Sequence, residues 1–241
     1  MFDHVTIRVA EREASCRFYD TVLEPLGQAR PHSGADYDEW GDFGLAQGNG
    51  GVTHRLHVGF VTRSREEVDA FWRAGVEAGH ASDGAPGLRR IYHDDYYGGF
   101  LLDPDGNSIE AVFHGLPREP GSIIDHLWLR VADLERSKRF WETVAPALGL
   151  GVRRSDRAER VHVETGDRSF AVVPGVPTEH LHMAFPLPGE AAVREFHRAA
   201  LAAGYRDNGP PGERRYRPGY YVAFVLDPDG NNVEAVFHNR G

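Results

Sequence analysis

The chain carries an internal repeat, and this repeat limits its possible folds more than any other feature of the sequence. Residues 3–10 (DHVTIRVA) return as residues 125–132 (DHLWLRVA), an offset of 122. Residues 102–114 (LDPDGNSIEAVFH) return as residues 226–238 (LDPDGNNVEAVFH), an offset of 124. Both ends of one half reappear in the same order in the other, so the chain is predicted to hold two copies of one fold that differ by small insertions.

The two copies meet at a short segment rich in glycine and proline. Residues 115–121 (GLPREPG) have the composition of a linker. A length of 241 residues is sufficient for two small domains. We therefore predict a first domain over residues 1–115 and a second domain over residues 122–241.

Each half shows the same order of predicted secondary structure. Short alternating apolar runs predict strands, and longer runs with apolar residues at helical spacing predict helices. In the first half, strands are predicted over residues 3–10, 37–47, 55–61, 89–92, 100–102 and 108–113, and helices over residues 12–26 and 65–78. Each half therefore contains a strand, a helix and further strands, twice over, and the predicted fold class is α+β.

Strand alternation separates several histidines from the apolar face of the predicted sheet. In the first strand the apolar residues occupy every second position, so His4 lies on the opposite face. The same alternation places His57 and Glu110 on the opposite face of their own strands. The second half repeats this pattern with His126, His182 and Glu234. A curved sheet is expected to gather the three residues of each half on its concave side.

These residue types and their spacing predict a metal centre in each half. The two intervals are 53 and 53 residues in the first half, and 56 and 52 in the second. Two imidazoles and one carboxylate form a facial triad that suits a divalent transition metal and leaves coordination positions open. His54 and His180 lie beside the middle histidines and are alternative ligands. The sequence leaves open whether modules pair within a half or across the halves.

Four motifs in each half resemble the vicinal-oxygen-chelate superfamily, which includes glyoxalase I, extradiol dioxygenases, fosfomycin-resistance proteins and bleomycin-binding proteins. They are Asp-His before an apolar strand, Arg-Phe-Tyr or Arg-Phe-Trp in the first helix, Leu-His at the middle strand, and Asp-Pro-Asp-Gly-Asn-x-x-Glu near each end. The resemblance covers almost the whole chain. It implies four βαβββ modules that form two glyoxalase-like domains with cupped sheets.

The resemblance also implies the ligands and the partner. By position, the metal ligands are His4, His57, Glu110, His126, His182 and Glu234, and the ion is iron, manganese, zinc or nickel. The implied partner is a small-molecule substrate. Glyoxalase I uses a further glutamate ligand, but residues 43–47 (FGLAQ) and 170–174 (FAVVP) contain no carboxylate. This departure favours a three-ligand centre, as in fosfomycin-resistance transferases and extradiol dioxygenases.

Two further pairs of residues are candidates for a catalytic role. Tyr97 and Tyr221 match each other in the two halves, and a tyrosine near a metal can act as an acid or orient an oxyanion. Arg89 and Arg214 also match, and a guanidinium can hold a carboxylate or phosphate. The alternative is that the tyrosines are half-buried strand residues and the arginines lie on a solvated loop.

Composition and charge exclude several classes of protein. The net charge is −9 with no basic run, which argues against a nucleic-acid partner. No apolar run approaches the roughly 20 residues that cross a bilayer, and the N-terminal residues do not resemble a signal peptide. We therefore expect a cytoplasmic monomer or homodimer. A single cysteine, Cys16, excludes an intramolecular disulfide.

Two classes of function fit these features. The first is a metal-dependent enzyme of the lyase, isomerase or dioxygenase type, which acts on a small oxygen-chelating substrate. The second is a drug-binding resistance protein of the bleomycin-binding type, in which the cup binds a flat or cationic drug without catalysis. A variant of the first is that only one half is active, since Trp128 replaces Thr6 and Val222 replaces Gly98 between the copies.

Overall fold

The structure is a computed structural model, and it describes residues 1–30, 32–34, 36–117, 121–155, 158–166, 168–215 and 218–239. Within these ranges the chain forms sixteen strands and four α-helices. Each α-helix is preceded by one strand and followed by three, which gives the order βαβββ four times. The predicted α+β class and the four modules are therefore confirmed.

The elements of the first half are, in chain order, β1 His4–Val9, α1 Arg12–Leu23, β2 His32–Ser33, β3 Tyr37–Trp40, β4 Phe43–Gln47, β5 His57–Val61, α2 Arg65–Glu77, β6 Ser82–Leu88, β7 Tyr97–Leu102 and β8 Ser108–Phe113. Those of the second half are β9 Ile124–Val131, α3 Leu134–Val144, β10 Gly151–Arg154, β11 Val161–Thr165, β12 Arg168–Pro174, β13 His182–Pro186, α4 Glu190–Ala202, β14 Arg206–Glu213, β15 Tyr220–Leu226 and β16 Asn232–His238. None of the described helices is long and apolar enough to span a membrane.

The chain divides into two compact units whose limits differ slightly from the limits of the halves. One unit is Thr6–Leu127, and the other joins Met1–Val5 to the chain from Trp128 onward. The strands β1 and β9 are therefore each divided between the units, after Val5 and after Leu127 respectively. The domain limits at residues 115 and 122 stay a prediction.

In the 6–127 unit, four strands pair in the order β6-β7-β8-β5, and the opening residues of β9 lie next to β5. The strands β5 and β8 run parallel, with Gly59 opposite Glu110. The strands β7 and β8 run antiparallel, with Phe100 opposite Glu110. The helix α2 begins after Ser64, whose side chain accepts a hydrogen bond from the Glu67 backbone N–H as an N-cap. Its apolar face packs against β7 and β8.

In the other unit, four strands pair in the order β14-β15-β16-β13, and the opening residues of β1 lie next to β13. The Asp3 backbone N–H donates to the Ala184 carbonyl at 2.8 Å. The strands β13 and β16 run parallel, with Ala184 opposite Glu234. This arrangement matches that of the 6–127 unit residue by residue, because Ala184 corresponds to Gly59 and Glu234 to Glu110.

One strand prediction was wrong. Residues 89–92 form a turn, in which the Tyr92 N–H donates to the Arg89 carbonyl at 2.9 Å, and the strand lies at Ser82–Leu88 instead. The sequence SDGAPGL contains Pro86 and two glycines, which argued against a strand. Because β6 lies at the edge of its sheet and its pairing with β7 is shifted twice, it tolerates these residues.

The Asp-Pro-Asp-Gly-Asn segment joins β7 to β8 through buried hydrogen bonds. Asp103 Oδ1 accepts from the backbone N–H groups of Asp105 and Asn107, at 3.0 and 2.8 Å. Asn107 Nδ2 donates to the Thr53 carbonyl at 2.9 Å, and Asn107 Oδ1 accepts from the Leu56 N–H at 3.1 Å. The segment therefore fixes the start of β5 beside β8. Asp227 and Asn231 repeat these bonds in the second half.

A buried carboxylate, Asp38 on β3, lies between two arginines. Arg12 Nε donates to Asp38 Oδ2 at 2.6 Å, and Arg30 Nη1 donates to Oδ1 at 3.0 Å. The Cys16 thiol also donates to Oδ2, at 3.1 Å. Burial opposes ionisation of Asp38, but the hydrogen bonds from Arg12, Cys16 and Ser33 and the charge of Arg12 together outweigh it, and the pKa of Asp38 falls to about 2. The pKa of the Cys16 thiol rises to about 11 through burial and the neighbouring carboxylate.

This lowered pKa predicts an acid-sensitive contribution to stability. Because the folded pKa of Asp38 is below the usual 3.8, its contribution is present above pH 3.8 and is lost as pH falls through about 2. We expect the unfolding free energy of the wild type to exceed that of Asp38→Asn near pH 5, and the difference to shrink by about 2 kcal/mol toward pH 2. Urea unfolding across that range measures it, and a pH-independent difference would contradict the assignment.

Candidate functional site

The six predicted ligands gather in two clusters of three. The first cluster is His57, Glu110 and His126, and the second cluster is His4, His182 and Glu234. In each cluster, one ligand atom from every residue lies within 4.8 Å of the others. The expectation that each half gathers its own three residues was wrong, because the opening residues of β9 lie beside β5 and those of β1 lie beside β13. The first histidines of the two halves are therefore exchanged.

In the first cluster, three side-chain atoms converge. His57 Nε2 lies 3.1 Å from Glu110 Oε2 and 3.1 Å from His126 Nε2. His126 Nε2 lies 3.4 Å from Glu110 Oε2. Glu110 is buried, and the His126 ring lies against the Cα of Gly59, where an added Cβ would come within 2.5 Å of the ring. A small residue on β5 is therefore required for His126 to reach the cluster.

The outer nitrogens of the two rings are held by acceptors. His126 Nδ1 lies 2.8 Å from the carboxylate of Asp125. His57 Nδ1 lies 3.1 Å from Ser108 Oγ, and the Ser108 hydroxyl donates to Asp83 at 2.7 Å. Because the single hydroxyl proton of Ser108 is directed at Asp83, Ser108 accepts from the Nδ1–H of His57. Both rings therefore direct their Nε2 atoms toward each other and toward Glu110, an arrangement that a divalent cation fits.

The closeness of the three side chains in the first cluster also shifts their pKa values. Burial disfavours charged imidazoles, and it lowers the pKa of His57. In His126 the hydrogen bonds to Asp125 and Glu110 outweigh burial and raise the pKa to about 9. Burial opposes the ionisation of Glu110, but hydrogen bonds from the two histidines lower its pKa. One shared proton thus balances the carboxylate, in the place where a cation would bind.

The second cluster has the same plan with different supporting groups. His4 Nε2 lies 3.0 Å from His182 Nε2, and His182 Nε2 lies 2.9 Å from Glu234 Oε2. His4 Nδ1 lies 2.9 Å from Asp3, as His126 does from Asp125. The Asn232 amide nitrogen donates to His182 Nδ1 at 2.6 Å, at the position where Ser108 accepts from His57 in the first cluster.

Comparison with known sequences and structures identifies the family and the fold of the chain. A sequence model of the Glyoxalase/Bleomycin resistance protein/Dioxygenase superfamily matches residues 1–111 and 123–235. The chain belongs to this superfamily. Glyoxalase I from Zea mays superposes with a TM-score of 0.68 at 18% identity, over 98% of this chain and 92% of that chain. A putative dioxygenase from Bacillus subtilis subsp. subtilis str. 168 gives a TM-score of 0.65 at 13% identity, over 100% and 86%.

The family match confirms the resemblance seen in the motifs, and the two structural likenesses show the fold. No curated protein sequence matches the chain. The superfamily is broad in its chemistry, so the function of this member has to be argued from the two clusters and from the residues that surround them.

In this superfamily member, the tyrosines that reach the clusters are the neighbours of the predicted ones. The Tyr97 hydroxyl donates to Asp69 of α2 at 2.8 Å, and the Tyr221 hydroxyl accepts from Arg194 of α4 at 3.1 Å.

The tyrosines that contact the glutamates directly precede these two in the chain. Tyr96 donates to Glu110 at 2.9 Å. In the second cluster, Tyr220 donates to Glu234 at 2.6 Å. Because Phe100 lies opposite Glu110, even-numbered residues of β7 share the face of the cluster, and Tyr96, directly before the strand, continues that alternation. The antiparallel register was the missing signal.

A phenylalanine ring lies between each predicted arginine and its cluster. The Arg89 guanidinium lies 5.2 Å over the ring of Phe100, whose centroid is 6.0 Å from that of His57. Its Nη2 donates to the Ala85 carbonyl at 2.7 Å. Arg214 has the same position over Phe224, at 5.5 Å. Both arginines are half-buried and neither belongs to a cluster, so a role for them in binding or catalysis stays a proposal.

Three histidines outside the clusters make hydrogen bonds of their own. His54 Nδ1 lies 2.9 Å from the Asp105 carbonyl, so it is not exchanged with His57 as a ligand. His114 Nε2 lies 3.0 Å from the Asp125 carboxylate that also holds His126. His238 has the corresponding bond to Asp3, at 2.7 Å. These two histidines support the acidic residues that orient the cluster histidines, a role that spacing alone did not predict.

Proposed function

We propose that the protein is a metal-dependent enzyme in which each cluster binds a divalent cation that chelates two neighbouring oxygens of a small substrate. The observation that carries the proposal is the convergence in the first cluster of two Nε2 atoms and one carboxylate oxygen. His57 Nε2 and His126 Nε2 lie 3.1 Å apart, and each is held in this orientation by an acceptor on its outer nitrogen. A cation satisfies all three atoms at once.

The donor set favours a transition metal and leaves room for a substrate. Two imidazole nitrogens and one carboxylate oxygen suit iron, manganese, zinc or nickel, and three protein ligands leave coordination positions open. When bound, such a cation would polarise the chelated substrate oxygens and stabilise the negative charge that develops on them. This chemistry serves lyase, isomerase and dioxygenase reactions alike, so the reaction class follows from the metal and the substrate.

The residues of the chain keep the ligands in place for this chemistry. Asp125 fixes the His126 ring, Ser108 fixes the His57 ring, and the Tyr96 hydroxyl donates to Glu110. Partners of this kind typically account for 10–100-fold in metal affinity. We propose that Arg89 and Arg214, over their aromatic rings, bind an anionic end of the substrate. The expected assembly is a monomer or a homodimer.

The test is elemental analysis of protein purified without added metal, followed by titration of the metal-free protein with manganese, iron(II), zinc and nickel. We expect two cations per chain, one for each cluster. A small bidentate oxygen ligand, such as a hydroxamate, is expected to bind the loaded protein and not the metal-free protein. A chain that takes up no cation at either cluster, yet binds a flat cationic drug after EDTA treatment, would be a drug-binding protein instead.

A further inference from the structure

The two clusters differ at one position beside the glutamate. Gly98 on β7 lies opposite Val112 of β8, and Val222 on β15 lies opposite Val236 of β16. The two residues therefore occupy the same place in their sheets. One has no side chain, and the other has a fully buried branched one.

In the first cluster, the glutamate turns into the space that glycine leaves. A Cβ added to Gly98 would lie 2.2 Å from Glu110 Oε1, so that oxygen occupies the place of a side chain. Glu110 Oε1 is buried and has no hydrogen-bond partner within the part of the chain that the structure describes. The Tyr96 hydroxyl donates to the other oxygen, Oε2, which also faces both histidines.

In the second cluster, the two carboxylate oxygens have separate partners. The Tyr220 hydroxyl donates to Glu234 Oε1 at 2.6 Å. Glu234 Oε2 faces the ring nitrogen of His182 at 2.9 Å. The side chain of Val222 fills the space that Glu110 Oε1 uses in the first cluster. In the second cluster, therefore, Tyr220 bonds the carboxylate oxygen that points away from the histidines. In the first cluster, Tyr96 bonds the oxygen that faces them.

We propose that residues 98 and 222 are positioning residues that set which glutamate oxygen the tyrosine bonds, and thereby how tightly each cluster binds its cation. This inference rests on the proposed function. In the first cluster the hydroxyl of Tyr96 draws charge from Glu110 Oε2, the inner oxygen that would bind the cation. Glu110 Oε1, the outer oxygen, has no hydrogen bond from any described residue. In the second cluster the outer oxygen of Glu234 is held by Tyr220, and the inner oxygen is kept for the cation.

Reciprocal substitutions isolate this position from the other differences between the clusters. Gly98→Val is expected to exclude the outer oxygen of Glu110 and to turn the carboxylate into the arrangement of the second cluster. Val222→Gly is expected to do the reverse. Each is made in a background with one working cluster: Gly98→Val with Glu234→Gln, and Val222→Gly with Glu110→Gln. Cobalt(II) is the probe, since its visible spectrum reports on the ligand arrangement as well as on affinity.

We expect Gly98→Val to tighten cobalt(II) binding at the first cluster about tenfold, and Val222→Gly to weaken it at the second cluster about tenfold. Each spectrum should move toward that of the other cluster, which a merely structural effect of the substitution would not produce. Melting curves establish that each variant is folded, and Val222→Gly decides the matter if Gly98→Val does not fold. Unchanged affinity and spectra would overturn the inference alone. Absence of cobalt(II) binding in both parent backgrounds would overturn the proposed function.

Discussion

Glu110→Gln is expected to bind one divalent cation per chain where the wild type binds two. Glutamine keeps the shape of the side chain and can still accept the hydrogen bond from Tyr96, but it removes the negative charge that faces the two histidines. Two neutral imidazoles without an anionic ligand bind a divalent cation weakly, so we expect a loss of at least about a hundredfold in affinity at this cluster. Isothermal titration of metal-free protein measures both the stoichiometry and the affinity.

The matched control is Glu234→Gln, which should remove the second site and leave the first intact. The double variant should bind no cation at either cluster. Retention of two tight sites in Glu110→Gln would show that this carboxylate is not a ligand. Equal loss at both clusters from a single substitution would show that the clusters are not independent.

Asn107→Ala is expected to lower the unfolding free energy by about 2–4 kcal/mol, since buried groups that lose a hydrogen-bond partner cost about 1–3 kcal/mol each. The fully buried Asn107 side chain bonds the Leu56 N–H, the Thr53 carbonyl and the Asp103 carboxylate. Alanine leaves the two backbone groups without that side-chain partner. Thermal or urea unfolding of the metal-free protein measures the effect without contribution from a bound cation.

Asn49→Ala is the control for this prediction. Asn49 is exposed, and a surface substitution of this type usually changes stability by less than about 0.5 kcal/mol. Asn231→Ala should repeat the loss seen with Asn107→Ala, because Asn231 makes the same bonds to Leu181, Thr178 and Asp227. If Asn107→Ala proves no less stable than Asn49→Ala, the buried segment does not hold β5 beside β8.

Local patterns in the sequence were sufficient to predict most of the fold. The repeat revealed two copies, and the alternation of apolar residues identified the faces on which His4, His57 and Glu110 lie. That prediction depends only on neighbouring residues, because side chains alternate along any strand. The helix at residues 65–78 was also predicted from a local pattern, the helical spacing of its apolar residues, and it is observed as Arg65–Glu77.

The remaining features depend on pairings between distant strands. His4 and His126 are exchanged between the clusters because β9 lies beside β5 and β1 lies beside β13. Neither pairing can be read from neighbouring residues in the sequence. The contact of Tyr96, and not of Tyr97, with Glu110 was missed for a related reason. A shift of one residue reverses the face of every side chain, and the register of β7 against β8 was not known from the sequence. Edge strand β6 was missed because glycine and proline usually end strands.

The division of β1 between the two compact units has a consequence for the order in which the clusters can form during synthesis. A ribosome releases the chain from its N-terminus. The first cluster is complete in sequence once His126 has emerged, before residues 128 onward of the other unit are made. His4 is the earliest made of the six residues, yet its cluster requires Glu234, close to the other end of the chain. Of the six residues, the first to be synthesised therefore waits longest for its partners, and the ligand sets of the two clusters are completed one after the other.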